Sequence, residues 1–137
     1  MQARLLSGRY RTDYLLSKWT SGSGACSLPG CLADRGDTLH LFSGQCTALR
    51  GFLSQTLSHA LNALSPFPPL HEAAKNALNS DQEYWVKFIL DPSTDPLVIQ
   101  YAQEEGTKAT WPIFKFSRSF IWCMHKQRKR LKENYPL

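Results

Sequence analysis

The sequence predicts an all-α domain with one irregular loop near its front. Three observations carry that prediction. Apolar residues recur at steps of three and four along most of the chain, no segment of useful length alternates apolar with polar residues, and no internal repeat is present. Gly and Pro gather in a few places, so they read as boundaries between helices.

In chain order, Arg4 to Leu6 run into Gly8, and Thr12 caps a short helix holding Tyr14, Leu15, Leu16 and Trp19. Ser21-Gly22-Ser23-Gly24 breaks it. From Cys26 to Cys46 the chain holds Pro29, Gly30, Gly36 and Gly44 without apolar periodicity, which describes a loop that something other than a core must hold. Leu49, Phe52, Leu53, Leu57, Ala60, Leu61 and Leu64 then form the stripe of an amphipathic helix, ended by Pro66, Pro68 and Pro69. Residues 70–79 read as a weaker helix. Ser80 caps the next, whose Tyr84, Trp85, Phe88 and Ile89 make an aromatic face before Pro92. Asp95 followed by Pro96 opens a helix through Glu105 that Gly106 stops. Thr110 caps a long last helix from Trp111 toward Glu133. Residues 1–65 thus hold the short helices, the loop and the amphipathic helix, and residues 66–137 a helical extension with a basic end, together one structural unit.

The chain has 137 residues, room for one domain and too few for a polymerase or kinase. Its 42% hydrophobic and 20% charged residues give a globular balance, which excludes a disordered, collagen-like or mucin-like segment. No apolar run approaches the roughly 20 residues of a membrane span, and the first eleven residues lack the apolar stretch of a signal peptide. An intracellular protein, nuclear or cytoplasmic, is expected, with neither a membrane nor a small-molecule substrate as partner. The net charge is +5. It is distributed as plus, minus, plus along the chain, and two basic ends around an acidic middle point to a polyanionic partner or to solvated faces.

Cys26, Cys31, His40 and Cys46 follow the spacing Cys-x4-Cys-x8-His-x5-Cys. Three thiols and one imidazole within 21 residues make a complete tetrahedral zinc set, because Zn²⁺ takes four such ligands in closed structural sites. Thr38 caps a short turn that carries His40. Two other readings of the same residues remain: ordinary buried thiols beside a surface histidine, or one disulfide with a thiol left over. Four protein ligands leave no position for a reacting water, so a zinc ion here is structural. Its binding energy would exceed what a loop so poor in apolar residues gains from burial. The fourth cysteine, Cys123, reads as a core thiol.

From Lys126 to Lys132, five of seven residues are basic. They follow Trp111, Ile113, Phe114, Phe116, Phe120, Ile121 and Trp122, so the last helix is expected to pack its first half into the core and project its second. Cations suit a helix C-terminus. Five exceed what capping needs, and phosphate contact is the economical reading. A tract of this size also resembles a nuclear-localisation signal. Arg118 sits among aromatics, where a guanidinium stacks or pairs with an acid.

Arg4-Leu5-Leu6-Ser7-Gly8-Arg9-Tyr10, the short helix with Trp19, the Cys-Cys-His-Cys loop and its following helix resemble the region after the polymerase thumb in non-LTR retrotransposon reverse transcriptases, which carry a zinc knuckle there. The run from Phe88 to Ile99, and Phe116-Ser117-Arg118 followed by aromatics, His125 and Arg128, resemble their C-terminal extensions. The resemblance implies that Cys26, Cys31, His40 and Cys46 are knuckle ligands in a part that binds RNA or DNA during target-primed reverse transcription. The first cysteine gap, four residues, is longer than the two or three typical of the family. The polymerase Tyr-x-Asp-Asp motif and an endonuclease signature are absent from the sequence, so the chain looks like the tail of such a polyprotein and is expected to catalyse nothing by itself.

The function expected is therefore a zinc-stabilised module that contacts RNA or DNA mainly through phosphates. Its basic residues are Arg4, Arg9, Arg11 and Lys18 at the front, with Arg118, Lys126, Arg128, Lys129, Arg130 and Lys132 at the back. The rival is a protein-interaction module docked on an upstream reverse-transcriptase domain, which exposed aromatics among Trp19, Tyr84, Trp85 and Trp111 would support.

Overall fold

The structure is a computed structural model that describes residues 25–28, 30, 31, 33 and 36–134. The segment from Arg4 to Gly8 and the short helix expected after Thr12 lie outside the described residues, and so do Arg9, Arg11, Lys18 and Trp19. Among the described residues there are six α-helices and no strand: α1 (Thr38–Phe42), α2 (Arg50–Ala63), α3 (Pro68–Leu78), α4 (Gln82–Leu90), α5 (Pro96–Glu105) and α6 (Trp111–Asn134). Short 3-10 turns at Pro92–Thr94 and Thr107–Thr110 lead into α5 and α6. The all-α expectation is met.

The helices start where a side chain or a proline can satisfy their first turn. Asp81, one residue after the expected Ser80, caps α4 by accepting from the Tyr84 N–H at 2.8 Å. Ser80 instead donates to the Asn76 carbonyl at 2.7 Å and closes the end of α3. A carboxylate caps at least as well as a hydroxyl, and it also meets the positive end of the helix dipole. Asp95 caps α5 as expected, accepting from the Leu97 and Val98 N–H groups at 2.9 and 3.2 Å. The prolines after α2 have a second role, because Pro68 is the first residue of α3, where a missing N–H costs nothing. Thr110 differs from its expected role: its hydroxyl donates to the Thr107 carbonyl at 2.6 Å, closing the 3-10 turn from which α6 continues.

Leu49, Leu53, Leu57 and Leu64, from the stripe expected of α2, are buried, and they meet the inward face of α6. That face is Ile113, Phe116, Phe120, Ile121 and Met124, all buried. α4 lies against α6 as well, with Trp85 edge-on to Phe120 at 5.8 Å between ring centroids. The buried Ser117 hydroxyl donates to the Ile89 carbonyl and ties the same two helices. α3 packs on α4 and α5 through Leu70, Ala73, Ala74 and Ala77. The small alanines let neighbouring backbones approach closely. One core runs from Cys26 to Met124.

The loop departs from its expected character. Leu28, Leu41 and Phe42 are buried and continuous with the helical core, so the segment is packed as well as looped.

Candidate metal centre

The loop presents its four ligands through two turns and one short helix. Between Cys26 and Cys31 the chain reverses at Gly30, whose φ of +77° is open to glycine at little cost. The Cys31 N–H donates to the Leu28 carbonyl at 3.2 Å, and the Cys26 N–H to that of Ala33 at 3.1 Å. Leu28 points into the core within this turn. A gap of four residues therefore brings both sulfurs within 4.8 Å of each other.

His40 stands in α1, and its backbone N–H donates to Asp37 Oδ1 at 2.9 Å. Asp37, not Thr38, is the N-cap, again a carboxylate in preference to a hydroxyl. The helix places Leu41 and Phe42 inward beside the ligand. Past α1, Gly44 turns the chain at φ +90° toward Cys46, and its carbonyl accepts from Arg50 Nε at 3.0 Å. Thr47 Oγ1 donates to the Gly30 carbonyl at 3.1 Å and fastens the second turn to the first.

Cys26, Cys31, His40 and Cys46 are all buried, and their ligand atoms lie within 4.8 Å of one another. Cys26 Sγ is 3.8 Å from Cys46 Sγ, and Cys31 Sγ is 3.4 Å from His40 Nε2. A tetrahedral ion with bonds of about 2.3 Å to sulfur and 2.05 Å to nitrogen holds two sulfurs about 3.8 Å apart and a sulfur and nitrogen about 3.5 Å apart. The two observed distances match that figure. The donor set can hold a metal ion and is compatible with zinc.

The disulfide reading fails, since all four cysteines are free and 3.8 Å is nearly twice an S–S bond of about 2.05 Å. The hydrogen bond between Cys26 and Cys46, with burial adding to it, pushes the Cys26 thiol up, while the same bond holds the Cys46 thiol down. The two sulfurs belong to one closed cluster with Cys31 and His40, whose four ligand atoms a single cation can bridge. Cys123 stands apart from this group. It is half-buried on α6, lining a groove of about 520 Å³ between α2 and α6.

The cationic residues of α6 divide by face. Lys115, Arg118, Lys126, Lys129 and Arg130 are exposed, Lys132 is half-buried, and Arg128 is buried at 7% exposure. The expected projection of the second half of the helix is thereby corrected. Met124 is buried and Leu131 partly buried against the core, so the basic segment stays on the body of the domain and keeps one side inward. Arg128 lies on that inward side, away from the exposed cations. Trp111 and Trp122, expected inside, are outside at 54% and 49% exposure. Their distance in sequence from Ile113 and Phe120 carries the signal: on a helix of 3.6 residues per turn, neither shares the stripe of the buried residues. Tyr84 is half-buried and Trp85 buried.

Among the described residues, no helix is long and apolar enough to cross a membrane. No family model, curated protein or solved structure matches the chain.

Proposed function

We propose that the chain is a zinc-stabilised helical module that binds RNA or DNA, contacting the strand mainly through phosphates and catalysing nothing by itself. The observation that carries this reading is the closed Cys3His cluster, two of whose ligand-atom distances suit a tetrahedral ion, on a helical body whose longest helix turns five cations outward. Zinc is the assignment because thiolate with imidazole in a four-coordinate site is its preferred donor set. With all four positions filled by protein, the ion's work is to hold the loop. The Cys-Cys-His-Cys order of the ligands and the basic closing helix also support kinship with the C-terminal part of non-LTR retrotransposon reverse transcriptases.

A second reading, docking on an upstream polymerase domain, is favoured by one feature. Trp111 is exposed at the mouth of the apolar groove between α2 and α6.

Native mass spectrometry of the whole chain, with and without chelator and with a short single-stranded oligonucleotide, tests the first reading. One zinc per chain is expected, with an oligonucleotide complex whose log affinity falls with log salt at about 0.7–0.9 per phosphate contact. A metal-replete chain that holds no zinc overturns the metal assignment. Affinity independent of salt overturns the nucleic-acid assignment and leaves docking as the reading.

A further inference from the structure

Phosphate contact uses the cations of α6 and leaves its two exposed indoles without a role. Trp111, Lys115, Arg118, Trp122, Lys126 and Lys129 follow one another at steps of four, three, four, four and three residues. On a helix these steps keep all six on one side, and all six are exposed. The stripe covers about 27 Å of helix axis at 1.5 Å per residue. A solvated face of a helix usually alternates cations with acids. Here the one acid of α6 is Glu133, beyond the stripe's end and 4.0 Å from Lys129.

Each indole stands beside a cation. The Arg118 guanidinium carbon is 5.2 Å from the centroid of the Trp111 ring, and Lys126 Nζ is 5.9 Å from that of Trp122. The His125 ring lies 5.8 Å from Trp122, tilted by 32°. Both tryptophans keep about half their surface in water while the buried face of the same helix is mostly apolar, with Ser117 and Arg128 its polar members.

We propose that this stripe is a platform for single-stranded nucleic acid, with bases stacked on Trp111 and Trp122 and intervening phosphates held by Lys115, Arg118, Lys126 and Lys129. It rests on the nucleic-acid reading above and adds the strand form and the contact mode. The charge of the stripe fits a polyanion along its whole length. Flat rings interleaved with cations are what a single strand needs, since its bases have free π-faces and its phosphates run beside them. In a duplex those faces are already stacked on neighbouring pairs. An anionic membrane also attracts lysine and tryptophan, but an interfacial helix separates its apolar face from its cationic face and inserts the apolar one. In α6 the apolar face is spent on the core, and rings and cations share the outer stripe.

The test is fluorescence anisotropy of the whole chain with labelled twelve-nucleotide oligothymidine, a twelve-base-pair duplex and vesicles of mixed neutral and anionic lipid. Oligothymidine is expected to bind most tightly and to quench tryptophan emission. Trp111→Ala and Trp122→Ala should each weaken it by about 5- to 150-fold with the salt slope unchanged, and Trp122→Phe should retain most of the binding. Lys115→Gln with Lys126→Gln should lower the slope by roughly 0.7 per residue removed. Both indoles are half-exposed, so melting followed by circular dichroism should remain at the wild-type value in the alanine variants. Should an alanine variant unfold, quenching of the wild-type chain and the Trp122→Phe comparison still decide the matter. Wild-type affinity in both alanine variants, with a steep salt slope kept, overturns the platform and leaves the phosphate reading standing. No binding of either nucleic acid by the wild-type chain overturns both. Preference for duplex or for vesicles overturns the platform.

Discussion

The indole nitrogen of Trp85 donates to the carbonyl oxygen of Phe42 across 3.0 Å, and both groups are buried. Phe42 ends the helix that carries His40. Trp85 belongs to α4, where it stacks on Phe88 at 6.2 Å between centroids and meets Phe120 of α6 edge-on. The bond therefore links the metal loop to the centre of the helical body. Any ion held by the loop would therefore be linked through this bond to the packing around Trp85.

That coupling shapes what chelation should do. Removing the ion is expected to expose the amides of residues 26–46 to hydrogen exchange, together with the indole N–H of Trp85, while the amides of α2 and the first half of α6 stay protected. Exchange measured by NMR reads the two sets separately. Protection of the loop unchanged by chelator would mean that Leu28, Leu41 and Phe42 hold it by packing alone. Cys31→Ser should have the same effect as chelator and bring bound zinc toward zero by metal analysis.

A change at Trp85 probes the link from the other side. Trp85→Phe keeps a ring against Phe120 but removes the indole N–H that donates to the Phe42 carbonyl, at a cost of about 1 kcal/mol. Denaturant unfolding should show that loss, and zinc affinity should fall with it. Phe120→Ala, which opens a cavity under the same indole, should cost about 3–5 kcal/mol in unfolding.

Much of this was legible in the sequence, and the reasons it was legible are physical. The α2 stripe and the Asp95-Pro96 start follow from periodicity and capping, which are local properties of a few residues. The ligand set was legible because spacing alone brings Cys26, Cys31, His40 and Cys46 into one short segment. The choice of cap was not: Asp37 and Asp81 won over Thr38 and Ser80, and neighbours that cap equally well are separated only by how the chain enters the helix. The packing of the loop was hidden as well. Leu28, Leu41 and Phe42 show no period, and Phe42 meets Trp85 across 43 residues of chain. The inward turn of Arg128 depends likewise on where α6 rests against the core.

Acid should release the metal before it unfolds the helices. A zinc ion needs thiolates and a neutral imidazole, so each ligand protonated on loss of the ion makes binding weaker as pH falls. The expected outcome is a zinc affinity that drops by more than tenfold per pH unit between pH 7 and 5, measured by competition with a chromophoric chelator, with proton release on zinc binding by the apo chain. Helical circular dichroism from α2 to α6 should change little over the same range.

Base should act at a different place. The Tyr84 phenol donates to Asp95 Oδ2, and Asp95 also caps α5, so one buried carboxylate joins α4 to the start of the next helix. That hydrogen bond, with burial and the carboxylate charge adding to it, pushes the Tyr84 hydroxyl up to about 12 from 10.0. A phenol that ionises later in the folded chain than in the unfolded one contributes its stability in full below pH 10, and the contribution disappears as pH rises toward 12. Urea midpoints should therefore fall across that window in the wild-type chain, and Tyr84→Phe should be less stable at pH 8 with a flatter decline above pH 10. Asp95→Ala removes the cap together with the acceptor. It should cost more than the roughly 0.5–2 kcal/mol of a cap alone, because the half-buried phenol loses its partner in the same step. An equal decline in wild type and Tyr84→Phe would place the alkaline sensitivity elsewhere in the fold.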